Sequence, residues 1–261
     1  MAQPELAAKA LMDELMPKCL DFYYQMGPLS TLSEFEKARI ERDIRVKIDD
    51  LSKLSKAFSH AAMMYLQVAL GNIKEVKKEY LNTLNYIDNS GVHINYANSL
   101  HRLGNVKESI EVLENYLNSN PPSVDVILLL KNIYRAIGMF SEDVKLMKTY
   151  SKLKVPRIDS NLPKALELKQ YLAEHDITQE ETEHYFTLVN NYFYSQRINK
   201  FSSSRGILED DEGESWISTR FKIEEDLTSD QIHSMNLGLL KLLAESDISD
   251  KASDHFVTSI Y

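Results

Sequence analysis

Few residues in this 261-residue sequence have the types and spacing that chemistry needs. His60 and His93 occupy matching places in two similar stretches, and packing between helices explains such a matched pair better than catalysis. Glu181-Thr182-Glu183-His184 contains one Glu-x-x-His step, the spacing that puts two ligands on one helical face. A di-metal site needs two such steps with further carboxylates, and the sequence has no second copy. The acidic run Glu209 to Glu214 lacks the alternating oxygen ligands and glycine of a calcium loop, so it reads as a solvated hairpin tip. Cys19 lies in the apolar run Leu15-Met16-Pro17-Lys18-Cys19-Leu20 without a partner motif, which marks a buried, inert thiol. There is no phosphate loop, dinucleotide fingerprint, nucleophile elbow or paired-cysteine zinc motif. The expectation is a protein that is not an enzyme, with no catalytic residues, no metal and no cofactor.

What the sequence does carry is a period. Leu70-Gly71-Asn72-Ile73-Lys74-Glu75 returns as Leu103-Gly104-Asn105-Val106-Lys107-Glu108, and more loosely as Ile137-Gly138-Met139-Phe140-Ser141-Glu142. The three glycines thus recur at an almost constant interval. Self-similarity at such a period, about 33 residues, marks units too small to bury an apolar face alone, which stack to make a shared core. Each glycine follows an apolar-periodic run, where a left-handed residue ends a helix without a Cβ clash. The unit is therefore helix, Gly turn, helix, Pro turn.

Composition agrees with this reading. Eight Gly and seven Pro leave few breaks, which favours long helices over many short strands. One cysteine excludes an internal disulfide and suits a reducing compartment, so a cytoplasmic protein is expected. No apolar stretch approaches the ~18 residues of a membrane span, and the N-terminus has no basic region followed by an apolar run. The net charge of −9 is uneven: residues 202 to 261 hold thirteen Asp/Glu against five Lys/Arg, a local −8. That balance argues against nucleic acid as a ligand of this region and suits a basic partner.

Four regions follow. Residues 1–56 form an N-terminal helical cap, with Leu6, Leu11, Leu15, Leu20 and Tyr23 on one helix, which Pro17 should split or kink. Ser33 and Glu36 have capping-box spacing ahead of a second helix with Phe35, Ile40, Ile44, Ile48 and Leu51 on one side. Residues 57–156 hold the three repeats, with Asp88-Asn89-Ser90-Gly91 and Asn120-Pro121-Pro122 as turns and Pro156 near the end. Residues 157–201 form a further helical pair, the second helix opening at Thr178 with Glu181 three residues on and running to about Lys200. Residues 202–261 form an acidic α+β (ββαβ) module. In it Ile217, Thr219, Phe221 and Ile223 alternate on one strand face, Asp226 to Ser229 caps a helix carrying Ile232, Met235, Leu239, Leu240, Leu242 and Leu243, and His255 to Tyr261 is a last strand.

The repeats resemble the tetratricopeptide repeat family. In the second, Tyr96-Ala97 fall in the Leu-Gly slot, Leu100 in the Tyr slot, Gly104 in the turn, Ser109 in the small-residue slot, Leu113 in the aromatic slot and Pro121 in the closing-proline slot. Val76 and Val144 are larger than the family's usual Ala. The resemblance implies a TPR-like α-solenoid whose first helices line a concave groove, and it places Tyr65, Asn98, Arg102, Asn132 and Arg135 on that face. Asn98 and Asn132 hold equivalent places in successive repeats, as do His101 and Arg135. Two amides one repeat apart can hold an extended peptide backbone, while Arg102 and Arg135 pair with its carboxylates. Ile94 stands where the family's carboxylate clamp has Lys, which argues against a chaperone-tail clamp. The expected function is a non-enzymatic protein–protein interaction scaffold, one version being an inhibitor that covers a basic effector with its acidic module. The alternative is a peptide-sensing transcriptional regulator, for which residues 33–56 offer Lys37, Arg39, Arg42, Arg45, Lys47, Lys53 and Lys56. Six carboxylates in the same stretch largely cancel that stripe, and no helix-turn-helix turn is evident.

Overall fold

The structure, a computed structural model, describes residues 2–153, 162–198, 201–224 and 227–261. Pro156, Lys200 and Asp226, read above as a closing proline, a helix end and part of a cap, lie outside the described residues. The protein is mainly helical with a small three-stranded sheet near its C-terminal end. The helices are α1 (Ala2–Gln25), α2 (Glu34–Leu54), α3 (Lys56–Ala69), α4 (Ile73–Leu84), α5 (Ser90–Arg102), α6 (Val106–Ser119), α7 (Val124–Ala136), α8 (Phe140–Tyr150), α9 (Leu162–Glu174), α10 (Gln179–Ser195), α11 (Ser229–Glu245) and α12 (Asp250–His255). The strands are β1 (Phe201–Glu209), β2 (Ser215–Ile223) and β3 (Phe256–Ile260). Among the described residues no helix is long and apolar enough to cross a membrane.

The repeated string is a helix-ending turn. Gly71, Gly104 and Gly138 have φ of 73°, 77° and 79°. Each lets the next amide fold back: Asn72 to Gln67 O (2.9 Å), Asn105 to Leu100 O (2.9 Å) and Met139 to Tyr134 O (2.8 Å). These bonds satisfy carbonyls that a helix end otherwise leaves open. A fourth copy lacks glycine. Asp176 takes φ 52°, and Ile177 donates to Leu172 O at 2.9 Å. Both expected capping boxes form, Ser33 with Glu36 and Thr178 with Glu181. Thr228, with Gln231, caps α11. Asn89 caps α5, so Ser90 and Gly91 belong to its first turn rather than to a loop.

The chain divides into two compact units, Met1–Val126 with Tyr194–Asn199, and Ile127–Phe193 with Lys200–Tyr261. In the first, α1 packs on α2 and α3, α3 on α4 and α5, and α5 on α6. α1 runs as one helix through Pro17, so the expected split into two helices does not occur. Pro17 is exposed, while Ala8, Met12, Leu15, Cys19 and Phe22 are buried on both sides of it. That continuous stripe offsets the hydrogen bond a mid-helix proline removes. It is rotated from the expected face, leaving Leu6 65% exposed. Phe35 of α2 is likewise 78% exposed, whereas Ile44, Ile48 and Leu51 are buried as their spacing requires.

Cys19 is 1% exposed, its Sγ 4.0 Å from Ala62 O, and burial pushes its thiol up to about 12. It should resist an aromatic disulfide reagent at pH 8 in the native protein and react fully once unfolded. Native labelling within minutes would show that α1 does not pack on α3 as described.

In the second unit β1 and β2 pair antiparallel through a turn in which Asp210 N–H donates to Glu214 O at 3.0 Å and Gly213 has φ 86°. β3 lies parallel to β2, in the order β1-β2-β3. The crossover between them holds two helices, not the single one of the expected ββαβ module: six-residue α12, capped by Ser249, follows α11. As the alternation requires, Ile217, Thr219, Phe221 and Ile223 are buried. The Phe193 ring stacks on Phe221 at 4.3 Å, and Phe186 and Tyr185 pack on Phe256 at 5.0 and 4.9 Å. Leu240, expected on the apolar face of α11, is 58% exposed, while Met235 and Leu239 are buried.

A second repeat-level feature concerns the last carbonyl of each first helix. Ala69 O accepts from Arg197 Nη1 at 2.7 Å, Arg102 O from the Tyr23 hydroxyl at 3.4 Å, and Ala136 O from Arg205 Nη2 at 3.3 Å. The three acceptors hold equivalent places two residues before Gly71, Gly104 and Gly138, yet all three donors come from outside these helix pairs. The two arginines also place positive charge at negative helix ends.

Candidate functional site

Of the five residues placed on the first-helix face, Tyr65, Asn98 and Arg102 belong to the first unit, and Asn132 and Arg135 to the second. Arg102 ends α5, where its half-buried guanidinium lies 5.6 Å from the Tyr23 ring centre and 5.9 Å from that of Tyr24. Those two rings meet edge-on at 5.2 Å. Both belong to the last turns of α1, which packs on α3, the helix that carries Tyr65. Tyr194, at the end of α10, adds a fourth phenol: its carbonyl accepts from the Tyr23 hydroxyl at 3.3 Å, and its ring sits 4.9 Å from buried His101. Arg197, with φ 53°, donates to Tyr23 O at 3.1 Å as well as to Ala69 O, and its guanidinium lies 4.7 Å from the Tyr23 ring centre.

Electrostatics separate binding from proton transfer here. Burial pushes the Tyr23 hydroxyl up to about 12, against the pull of Arg197 and Arg102. The Tyr65 hydroxyl rises to about 12 for the same reason, with Arg102 opposing. Burial raises Tyr194 as well. At neutral pH these phenols are therefore hydrogen-bond donors, not bases or nucleophiles. Arg102 forms no ion pair with any described residue. Its charge is held by ring faces, an arrangement that leaves the fork of N–H groups for an incoming carboxylate. Asn98, four residues earlier on α5, is half-buried, and its amide bonds to no described group.

Arg135 is placed differently. Its Nε donates to Asp143 Oδ2 at 2.5 Å, and Nη2 reaches Met147 Sδ at 3.6 Å. Asp143 is fully buried, and burial raises its carboxyl against the opposing pull of Arg135 and Lys131. Arg135 thus serves a carboxylate of its own unit, whereas Asn132 is exposed. His60 and His93 also find internal partners: His60 Nδ1 lies 2.6 Å from Glu79 Oε2, while His93 joins the Tyr80 hydroxyl (2.9 Å) and Asp88 (2.8 Å). Among the described residues no three His, Cys, Asp or Glu side chains come together as metal ligands would.

Tyr24, Tyr194 and Arg197 had no place in the site expected from sequence, and Tyr23 was expected only among the apolar positions of the first helix. Tyr194 and Arg197 lie far along the chain from Tyr23, so no local pattern joins them. The only sequence-level signal was the run of aromatic residues Tyr192, Phe193 and Tyr194 just before a lone arginine. The chain matches no family model, no curated protein and no solved structure, so the site rests on its own residues.

Proposed function

We propose that the protein is a tetratricopeptide-type helical-repeat scaffold that holds a carboxylate-bearing segment of a protein partner against Tyr65, Asn98 and Arg102. The observation that carries this is Arg102, half-buried over Tyr23 and Tyr24 and without a carboxylate among the described residues. Three left-handed glycine turns, evenly spaced along the chain, support the repeat reading. Neutral phenols around the arginine support recognition rather than catalysis. Asn98 would bond a peptide group of the bound segment, and Tyr65 would donate its hydroxyl.

Selection of extended acidic peptides from a random library tests this. The wild-type chain should enrich them, and Arg102→Gln should lower their affinity roughly tenfold or more, the worth of one charge-assisted bond. Asn98→Ala should weaken them less. Helicity by circular dichroism should be unchanged in both. Equal enrichment by wild type and Arg102→Gln would refute the assignment.

A further inference from the structure

The two edges of the small sheet are treated differently by the chain. On β3 the outward main-chain groups of its first and last residues, Phe256 and Ile260, are taken up internally. Phe256 N–H donates to Ala252 O, and Phe256 O accepts from the Tyr185 hydroxyl at 3.4 Å. Ile260 N–H donates to Asn236 Oδ1 at 2.9 Å, and Ile260 O accepts from Asn236 Nδ2 at 2.7 Å. The Asn236 amide therefore stands where a neighbouring strand would be.

Among the described residues β1 has no such cover for its main-chain groups, although Lys164 of α9 approaches Gly206. The bond from Asp210 N–H to Glu214 O fixes which residues face β2: in this register Ser202, Ser204, Gly206 and Leu208 exchange bonds with β2. Ser203, Arg205, Ile207 and Glu209 turn their N–H and C=O groups away from it. Among the described residues none of these outward groups is bonded. The strand is nine residues long and carries no proline or lysine. An edge of this length is a template for pairing unless something protects it. Ser202, Ser203 and Ser204 are small and exposed, leaving room for larger side chains on an added strand. Immediately beyond lies the exposed tip Glu209-Asp210-Asp211-Glu212-Gly213-Glu214, five carboxylates in six residues.

We infer that β1 is a strand-addition site, which takes an extended, lysine- or arginine-bearing segment of a partner protein as a fourth strand. Main-chain bonds to Ser203, Arg205 and Ile207 would supply the pairing, and the acidic tip would select cationic side chains. A second copy of this chain fits less well, because each copy brings the same excess of −8 in residues 202–261. This surface is separate from the Arg102 site, and neither proposal depends on the other.

The test uses the full chain and two alternating probes, Lys-Val-Lys-Val-Lys-Val-Lys and its glutamate counterpart. The lysine peptide should bind, and hydrogen exchange should slow at the amides of Ser203, Arg205 and Ile207. The glutamate peptide should leave those amides unchanged. Ser203→Pro removes an outward N–H that β2 does not use, and should weaken the lysine peptide at least tenfold. Glu209→Lys with Asp211→Lys should weaken it too, with the strand pairing intact. Binding of both peptides alike, protection confined to other segments, or no protection at millimolar lysine peptide would overturn the proposal. So would sedimentation showing that the wild-type chain already dimerises and that Ser203→Pro makes it monomeric. The exchange pattern of the wild type decides the question even if Ser203→Pro does not fold.

Discussion

Arg205→Met should lower the stability of the second unit by about 2–4 kcal/mol, from the lost helix-end bonds and ring contact. The side chain makes three bonds to two elements, β2 and α7: Nε donates to Thr219 Oγ1 at 2.8 Å, Nη1 to Arg135 O, and Nη2 to Ala136 O. Its guanidinium lies 3.7 Å from the Phe186 ring centre, and burial lowers its pKa to about 9, which leaves it charged at neutral pH. Methionine keeps much of the volume but leaves Ala136 O without a donor, worth ~1–3 kcal/mol when buried, and leaves Arg135 O with only the Gly138 N–H at 3.3 Å. It also forfeits a desolvated cation–π contact of about 2 kcal/mol. Relief from burying a charge offsets part of that loss. Trp216 is the chain's one tryptophan and sits in this unit, so its fluorescence in a urea titration reads the effect directly. Arg205→Lys should recover only a fraction, since one ammonium cannot serve three acceptors in a fixed fork. A midpoint unchanged in Arg205→Met would mean the side chain is not the cap described.

Gly138→Ala is expected to cost about 2–5 kcal/mol, backbone strain and overpacking together. Part is conformational, roughly 1–2 kcal/mol for an L-residue in the left-handed region. The rest is contact: a Cβ at Gly138 would stand 2.5 Å from Thr182 Cγ2 and 2.7 Å from Phe186 Cδ2, both on buried positions of α10. Overpacking of that kind adds about 1–3 kcal/mol. Gly71 supplies the control. It has nearly the same φ, but the nearest atom to its Cβ is Arg197 Nη2 at 3.8 Å, so Gly71→Ala should show the conformational part alone. Far-UV circular dichroism in urea, with Trp216 fluorescence for Gly138→Ala, measures both. Equal losses would sink the claim that α10 packs directly on the Gly138 turn.

These two predictions mark how far local sequence reaches. The glycine turns were legible because glycine alone enters the left-handed region without a steric penalty, so conformation leaves its mark in residue type. The capping boxes were legible for a similar reason: the bond joins residues three apart. Asp176 makes the same turn but was invisible, since aspartate tolerates that region without being restricted to it. Phe35 and Leu240 show the opposite failure. Their spacing fits an apolar face, yet burial depends on what lies opposite, which spacing does not encode. Of the candidate site, Tyr65, Asn98 and Arg102 were singled out by their places relative to the repeated string, while the rings under Arg102 belong to α1, outside it. Arg135 looked equivalent to its neighbours until Asp143, eight residues on, proved to be its partner.

The bond from Arg197 to Ala69 O joins residues 128 apart. On a ribosome, the six helices that make up most of the first unit are complete once Val126 has emerged, yet the closing arginine is still to be made. At ~5–20 residues per second, the roughly 70 residues between them take about 4–14 s to synthesise. Throughout that interval the end of α3 has only water for its last carbonyl, and the Tyr23 ring has only the more distant of its two cations, that of Arg102. The first unit is therefore a fold that its own contiguous sequence begins and a much later arginine completes.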